Sequence, residues 1–127
     1  MTFSKEDFKK ALLSLRDDKA FRNSKYLTLL RAQYAGINHT ITAQRLADSA
    51  GYKNFNAANL HYGHLARLIA EKLDYVPEEK HKNGDTVWWV TIASGTEASE
   101  STIDGHFEFT MKPELALALE EMKWVKK

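Results

Sequence analysis

The feature that most constrains this chain is a short helix signal closed by glycine and followed at once by a longer helix signal. In Ile41-Thr-Ala-Gln-Arg-Leu-Ala-Asp-Ser-Ala-Gly51, Thr42 is placed to cap free backbone amides, Ile41 and Leu46 have the spacing of a hydrophobic staple, and Gly51 closes the run. This predicts a helix over about 43–50. After the turn Tyr52-Lys-Asn-Phe55, Asn54 or Asn56 is placed to cap a longer helix over about 56–73, with Ala58, Tyr62, Leu65, Ile69 and Leu73 on its apolar stripe. Two helices joined this tightly need a small residue where they touch, which Ala47 supplies, and a positive φ angle to reverse the chain, which glycine accepts. Residues 42–73 therefore read as a helix-turn-helix unit.

The flanking sequence builds a frame around that unit. Ser4, Asp7, Phe3 and Phe8 give capping-box and staple signals for a helix over 5–16, and Asp17, Asp18 and Lys19 read as a charged connection. Tyr26, Leu27, Leu30 and Tyr34 predict a second helix from near Ser24, with Gly36 expected to end it in a left-handed cap. Pro77 and Asn83-Gly84 mark turns. The β-branched and aromatic run at 86–92 reads as a strand, 93–105 as an exposed loop, and 106–111 as an antiparallel partner strand. Pro113 opens a last helix through Leu115, Leu119 and Met122, and Trp124-Val125 is expected to fold back onto the core. The expected fold is one domain spanning 1–127, α+β and mainly helical: a winged helix-turn-helix with extra N-terminal helices, a β-hairpin wing at 86–111 and a C-terminal helix at 113–125.

Charge adds a direction. The chain of 127 residues carries a net charge of only +1, which on its face argues against a nucleic-acid ligand. Resolved along the sequence, residues 1–72 carry +6 and residues 73–127 carry −5. A basic half holding the helix-turn-helix, joined to an acidic half, suggests a basic working face. Placed at 100° steps, the longer helix puts Asn56, Leu60, Gly63, His64, Arg67 and Glu71 opposite its apolar stripe, with Asn59 and His61 flanking. Asn pairs bidentately with adenine, Arg with guanine, and an apolar Leu60 suits a thymine methyl. Lys53 and Asn54 in the turn, with Thr42, Gln44 and Arg45 at the start of the short helix, are placed to meet phosphates. Every one of these side chains also suits the solvated face of an ordinary core helix. Gly63 weighs against that plain reading, because glycine inside a helix costs about 1 kcal/mol relative to alanine. Either a ligand approaches there or the hairpin packs closely against it.

At residue level, Ala57-Ala-Asn-Leu-His-Tyr-Gly-His-Leu-Ala66, Ala50-Gly-Tyr52, Met111-Lys-Pro-Glu-Leu115 and Trp124-Val125 resemble a set of small bacterial and phage proteins and segments joined to HNH-type nucleases. The resemblance spans roughly residues 26–125 and its motifs are not catalytic. It implies a DNA-directed, phage-defence or mobile-element setting, and this chain has no nuclease signature of its own.

Other chemistries find little foothold. With no Cys there is no disulfide framework, no thiol nucleophile and no Cys-zinc site, which suits a cytoplasmic location. His61 and His64, even with His39, His81 and His106, lack zinc-ligand spacing, so no metal and no cofactor is expected. Gly95 and Gly105 stand alone, no nucleophile elbow or phosphate loop is present, and Asp104 beside His106 is a weak acid/base pair, so an enzyme is not expected. Lys5, Glu6 and Asp7 interrupt any secretory signal, and the longest uncharged run is too short for a membrane span. Double-stranded DNA is the expected partner. The rival is a small inhibitor or adaptor that docks on a host protein through its acidic loops or an exposed Trp88 or Trp89, one of which should point outward from a strand. A homodimer is compatible with either reading.

Overall fold

The helix α1 (Lys5–Arg16) starts where Ser4 and Asp7 exchange bonds: Asp7 N–H donates to Ser4 Oγ at 3.1 Å and Ser4 N–H to Asp7 Oδ2 at 2.9 Å. Phe3 and Phe8 meet edge-on at 6.1 Å, completing the staple. These are features of a computed structural model that describes residues 2–95 and 108–126. The charged connection contains a further turn of helix, α2 (Lys19–Arg22), because the Asp18 side chain accepts from Ala20 N–H and Phe21 is an apolar anchor that the fold buries. Then come α3 (Tyr26–Ala35), strand β1 (Thr40–Thr42), α4 (Ala43–Ala50), α5 (Phe55–Lys72), strands β2 (Ala93–Gly95) and β3 (Glu108–Met111), and α6 (Pro113–Glu121). The described residues form a mainly helical α+β fold with a small antiparallel sheet in the order β1-β3-β2. Phe109 of β3 stands opposite both Ile41 and Gly95, so β3 is central.

Both ends of the short helix follow the sequence. Thr42 Oγ1 accepts from Arg45 N–H at 3.2 Å, and Gly51 takes φ 75°, ψ 26° after the last turn of α4. Asn54 Oδ1 accepts from Ala57 N–H at 2.9 Å and starts α5. The α5 stripe of Ala58, Tyr62, Leu65 and Ile69 is buried against α1 and α4, and the core continues through Leu12, Leu30, Leu46, Leu115 and Leu119. Trp124 folds back as expected and lies 5.9 Å from Phe21.

Three expectations fail. Residues 86–92 do not form a strand: Trp88–Thr91 is a 3₁₀ turn packed on α5, and the strand begins at Ala93, inside the segment read as loop. β-branched and aromatic enrichment reports fit to a buried surface as much as an extended backbone, and here Val87, Thr91 and Ile92 are all buried without alternating. Without a strand to alternate them, Trp88 and Trp89 do not divide into one core and one exposed ring; both are half-buried. Gly36 is extended rather than left-handed, at φ −70°, ψ 161°. It is required for closeness instead, since a Cβ there would lie 2.2 Å from the Thr40 carbonyl oxygen. The wing expected at 86–111 thus reduces to residues 93–95 paired with 108–111, and β1, invisible in so short a segment, adds a third strand. The rest of the expected loop lies outside the described residues.

One buried polar chain ties these layers together. Gln33 on α3 has no exposed surface; its Nε2 donates to the Phe109 carbonyl at 3.1 Å and its Oε1 accepts from the Tyr62 hydroxyl at 2.8 Å. Burial pushes the Tyr62 hydroxyl well above its ordinary pKa, so it stays a donor.

Candidate functional site

The solvent face of α5 forms the floor of a groove of about 980 Å³. Asn59, Leu60, Gly63, His64 and Arg67 contribute the floor, and the opposite wall is built by residues 81 and 84–89 with Phe109 at the end. That wall is a hydrogen-bonded turn. Asn83-Gly84 closes it, with Gly84 at φ 92°, His81 N–H donating to the Asp85 carbonyl at 2.8 Å, and Lys80 Nζ donating to Thr86 Oγ1 at 2.8 Å. Trp88 follows directly, and the Arg67 guanidinium lies 5.1 Å from its ring centroid. Trp89 is edge-on to Phe109 at 5.4 Å, which anchors the turn to the central strand.

The helix that builds the floor runs unbroken through Gly63, and among the described residues nothing beyond the helix's own backbone lies within 4 Å of where its Cβ would be. No described residue packs there, and residues 96–107 of the expected wing lie outside the described residues. Leu60, one turn before it, is 58% exposed, as Leu13 and Leu117 also are in large part. Asn59 is half-buried and its Oδ1 is enclosed without a hydrogen-bond partner among the described residues.

A second row of side chains approaches the groove from the turn. Tyr52 stacks on His61 at 4.6 Å with the rings 4° from parallel, His61 meets His64 edge-on at 5.9 Å, and Lys25 Nζ lies 5.1 Å from the centroid of Tyr52. Histidines that sequence spacing made weak metal candidates are thus ring partners of one another and of tyrosines: His39 stacks on Tyr34 at 4.3 Å and its Nδ1 donates to the Tyr34 carbonyl at 2.6 Å. Among the described residues no group of three or more His, Cys, Asp or Glu is arranged to hold a metal ion, and no helix is long and apolar enough to cross a membrane. His106 and Asp104 lie outside the described residues.

The ten residues singled out from sequence divide into three groups. Asn59, Leu60, His64 and Arg67 come together in the groove. Arg45 is exposed on the first turn of α4, Lys53 in the α4–α5 turn and Asn56 at the start of α5. Thr42, Asn54 and Gln44 already have partners: the first two cap helices, and Gln44 Nε2 donates to Asp48 Oδ1 at 3.1 Å. Sequence reading missed Tyr52, Lys25 and the wall at 81–89. Helical periodicity, which located the floor, carries no information about a wall supplied by a later loop or about a lysine from α3.

The acidic half divides: Glu78, Glu79 and Asp85 are exposed, whereas Glu120 and Glu121 of α6 are engaged. Glu121 receives Lys5 Nζ and Lys9 Nζ, each at 2.6 Å, and Tyr34 donates to Glu120 at 2.6 Å. Those lysines hold the Glu121 carboxyl down to about 2. Glu97 and Glu100, the centre of the expected acidic loop, lie outside the described residues. No protein-family model matches the chain, and neither a curated protein nor a solved structure matches it.

Proposed function

We propose that the chain is a non-enzymatic DNA-binding protein of winged helix-turn-helix type, in which the first turns of α5 enter the major groove of duplex DNA. The observation that carries this reading is the open first half of α5. Asn56 and Leu60 face solvent next to exposed Lys53 and Arg45, while the opposite stripe is spent on the core. A recognition helix contacts bases through its N-terminal residues while the preceding helix crosses the backbone. The element order supports the same reading, because a strand before the short helix, pairing with the returning hairpin in the order β1-β3-β2, is what a winged helix-turn-helix requires. The resemblance to bacterial and phage proteins adds a phage-defence or mobile-element setting.

Binding is tested by salt titration against plain and methylated duplexes. Each phosphate contact contributes about −0.9 to the slope of log affinity against log salt. Lys53→Glu and Arg45→Glu are expected to flatten that slope together, and Asn56→Ala to cost about 1–3 kcal/mol at one base position. No detectable association with duplex DNA at low salt rejects the reading.

A further inference from the structure

The middle of α5 has a different shape from its first turns. Beyond Leu60 the helix face becomes the bottom of a recess, because the turn at 81–87 and the Trp88 ring rise alongside it. The major groove is about 12 Å wide and accepts a bare helix. A helix flanked by its own wall presents a hollow there, and a duplex, as a convex rod, does not enter a hollow. One nucleotide swung out of the stack does. The volume, about 980 Å³, lies at the upper end of what sites for small organic ligands enclose, about 300–1,000 Å³.

The lining fits such an occupant. Gly63 offers a patch of helix backbone bare of a side chain, with no described atom beyond that backbone within 4 Å of its Cβ position, where a planar ring can lie. Trp88 supplies an indole ring, and stacking on aromatic side chains is the sequence-tolerant way in which proteins hold unpaired bases. Arg67 is held only loosely, its Nε 3.8 Å from Glu71, and its guanidinium lies over the Trp88 ring, 5.1 Å from its centroid, so a base stacking on that face displaces the guanidinium toward the base's own phosphate. The floor comes from the +6 segment, residues 1–72, and supplies Arg67, while the wall comes from the −5 segment and supplies Asp85, so the lining accommodates one phosphate at Arg67 rather than a run of them.

We infer that the groove between α5 and Trp88 takes a single unpaired nucleotide of DNA, with the base on Gly63 against the indole and its phosphate at Arg67. This inference rests on the reading of α5 as a DNA-binding helix and adds a preference for DNA that carries an unstacked base.

The test compares two duplexes, identical except that one carries a single unpaired 2-aminopurine nucleotide, bound by the full chain and by Gly63→Leu. A Cβ at position 63 meets no described atom beyond the helix's own backbone within 4 Å, and a thermal melt at or above that of the parent confirms that the leucine variant folds. The expected result is roughly tenfold tighter binding of the bulged duplex, with 2-aminopurine emission quenched on binding, and loss of both in Gly63→Leu while affinity for the fully paired duplex stays the same. Equal affinity for the two duplexes, or a preference that survives Gly63→Leu, overturns the inference and leaves duplex binding standing. If neither duplex binds, both readings fall together.

Discussion

Around Gly36 the chain has no spare room. The extended backbone between α3 and β1 passes so close to Thr40 that a single methyl group would sit 2.2 Å from a carbonyl oxygen, and the His39 amide donates back to the Gly36 carbonyl at 2.9 Å. Around Gly63, in the middle of an 18-residue helix, no described atom beyond the helix's own backbone lies within 4 Å on the side where a side chain would point. The same residue type answers opposite conditions. At the α3–β1 corner the folded chain itself explains the glycine, because only a residue without Cβ lets α3 hand over to the sheet. In the groove no described residue accounts for the glycine, and α5 carries its helix-propensity cost with no packing gain among those residues.

Four measurements sharpen or break that contrast. The largest effect is expected from Gly36→Ala, where the obstructing atom is backbone: overpacking of this kind costs about 1–3 kcal/mol and more where the neighbour cannot yield, and it is read as a lowered denaturation midpoint. A wild-type midpoint would show that the corner is roomier than its geometry implies. Next comes Gln33→Leu, which strips the fully buried Tyr62 hydroxyl of its acceptor. A loss of about 1–3 kcal/mol is expected, and adding Tyr62→Phe should recover part of it. A double mutant no better than the single one would show that the polar chain is not what joins α5 to β3.

Gly63→Ala should move the other way, raising stability by about 0.5–1 kcal/mol through helix propensity alone. Destabilisation would mean that the groove is closed by the chain's own atoms in solution. The smallest effect concerns the ion pairs between α1 and α6. Hydrogen bonds from Lys5 and then Lys9 lower the Glu121 carboxyl from 4.5 to about 2. A depressed carboxylate contributes stability that is present above its unfolded value and is lost as pH falls through the folded value. The pH dependence between about 4.5 and 2 should therefore be shallower in Glu121→Gln. Because these groups are exposed the change should be slight, and an unchanged profile would place the contribution of this end of the molecule in Phe8, Leu115 and Leu119 alone.

How much of this was readable from sequence differs with the range of the interaction. Ser4, Thr42, Gly51, Asn54 and Pro113 act on their own helix ends within a few residues, and each took its expected role. The α5 stripe and its opposite face followed from helical period. What failed depends on partners distant in the chain. Val87 to Ile92 are apolar because they cover α5, and composition alone cannot separate a buried 3₁₀ turn from a strand. Gly36 was read through the dihedral angle that glycine most often serves, whereas its neighbour in space, Thr40, decides its role. The floor of the candidate site was legible for the same reason as the α5 stripe, and its wall was hidden for the same reason as the 3₁₀ turn.

The bond from Gln33 to the Phe109 carbonyl has a mechanical consequence. Tyr62 lies one residue before Gly63, and Phe109 closes the end of the groove, so a single amide is bolted to both the helix that forms the floor and the strand that backs the wall. Rolling α5 about its axis to present a different row of side chains would pull that bolt out at one end. The helix is thereby keyed to one angular setting, and the spacing between floor and wall is fixed from inside the protein before anything arrives to occupy it.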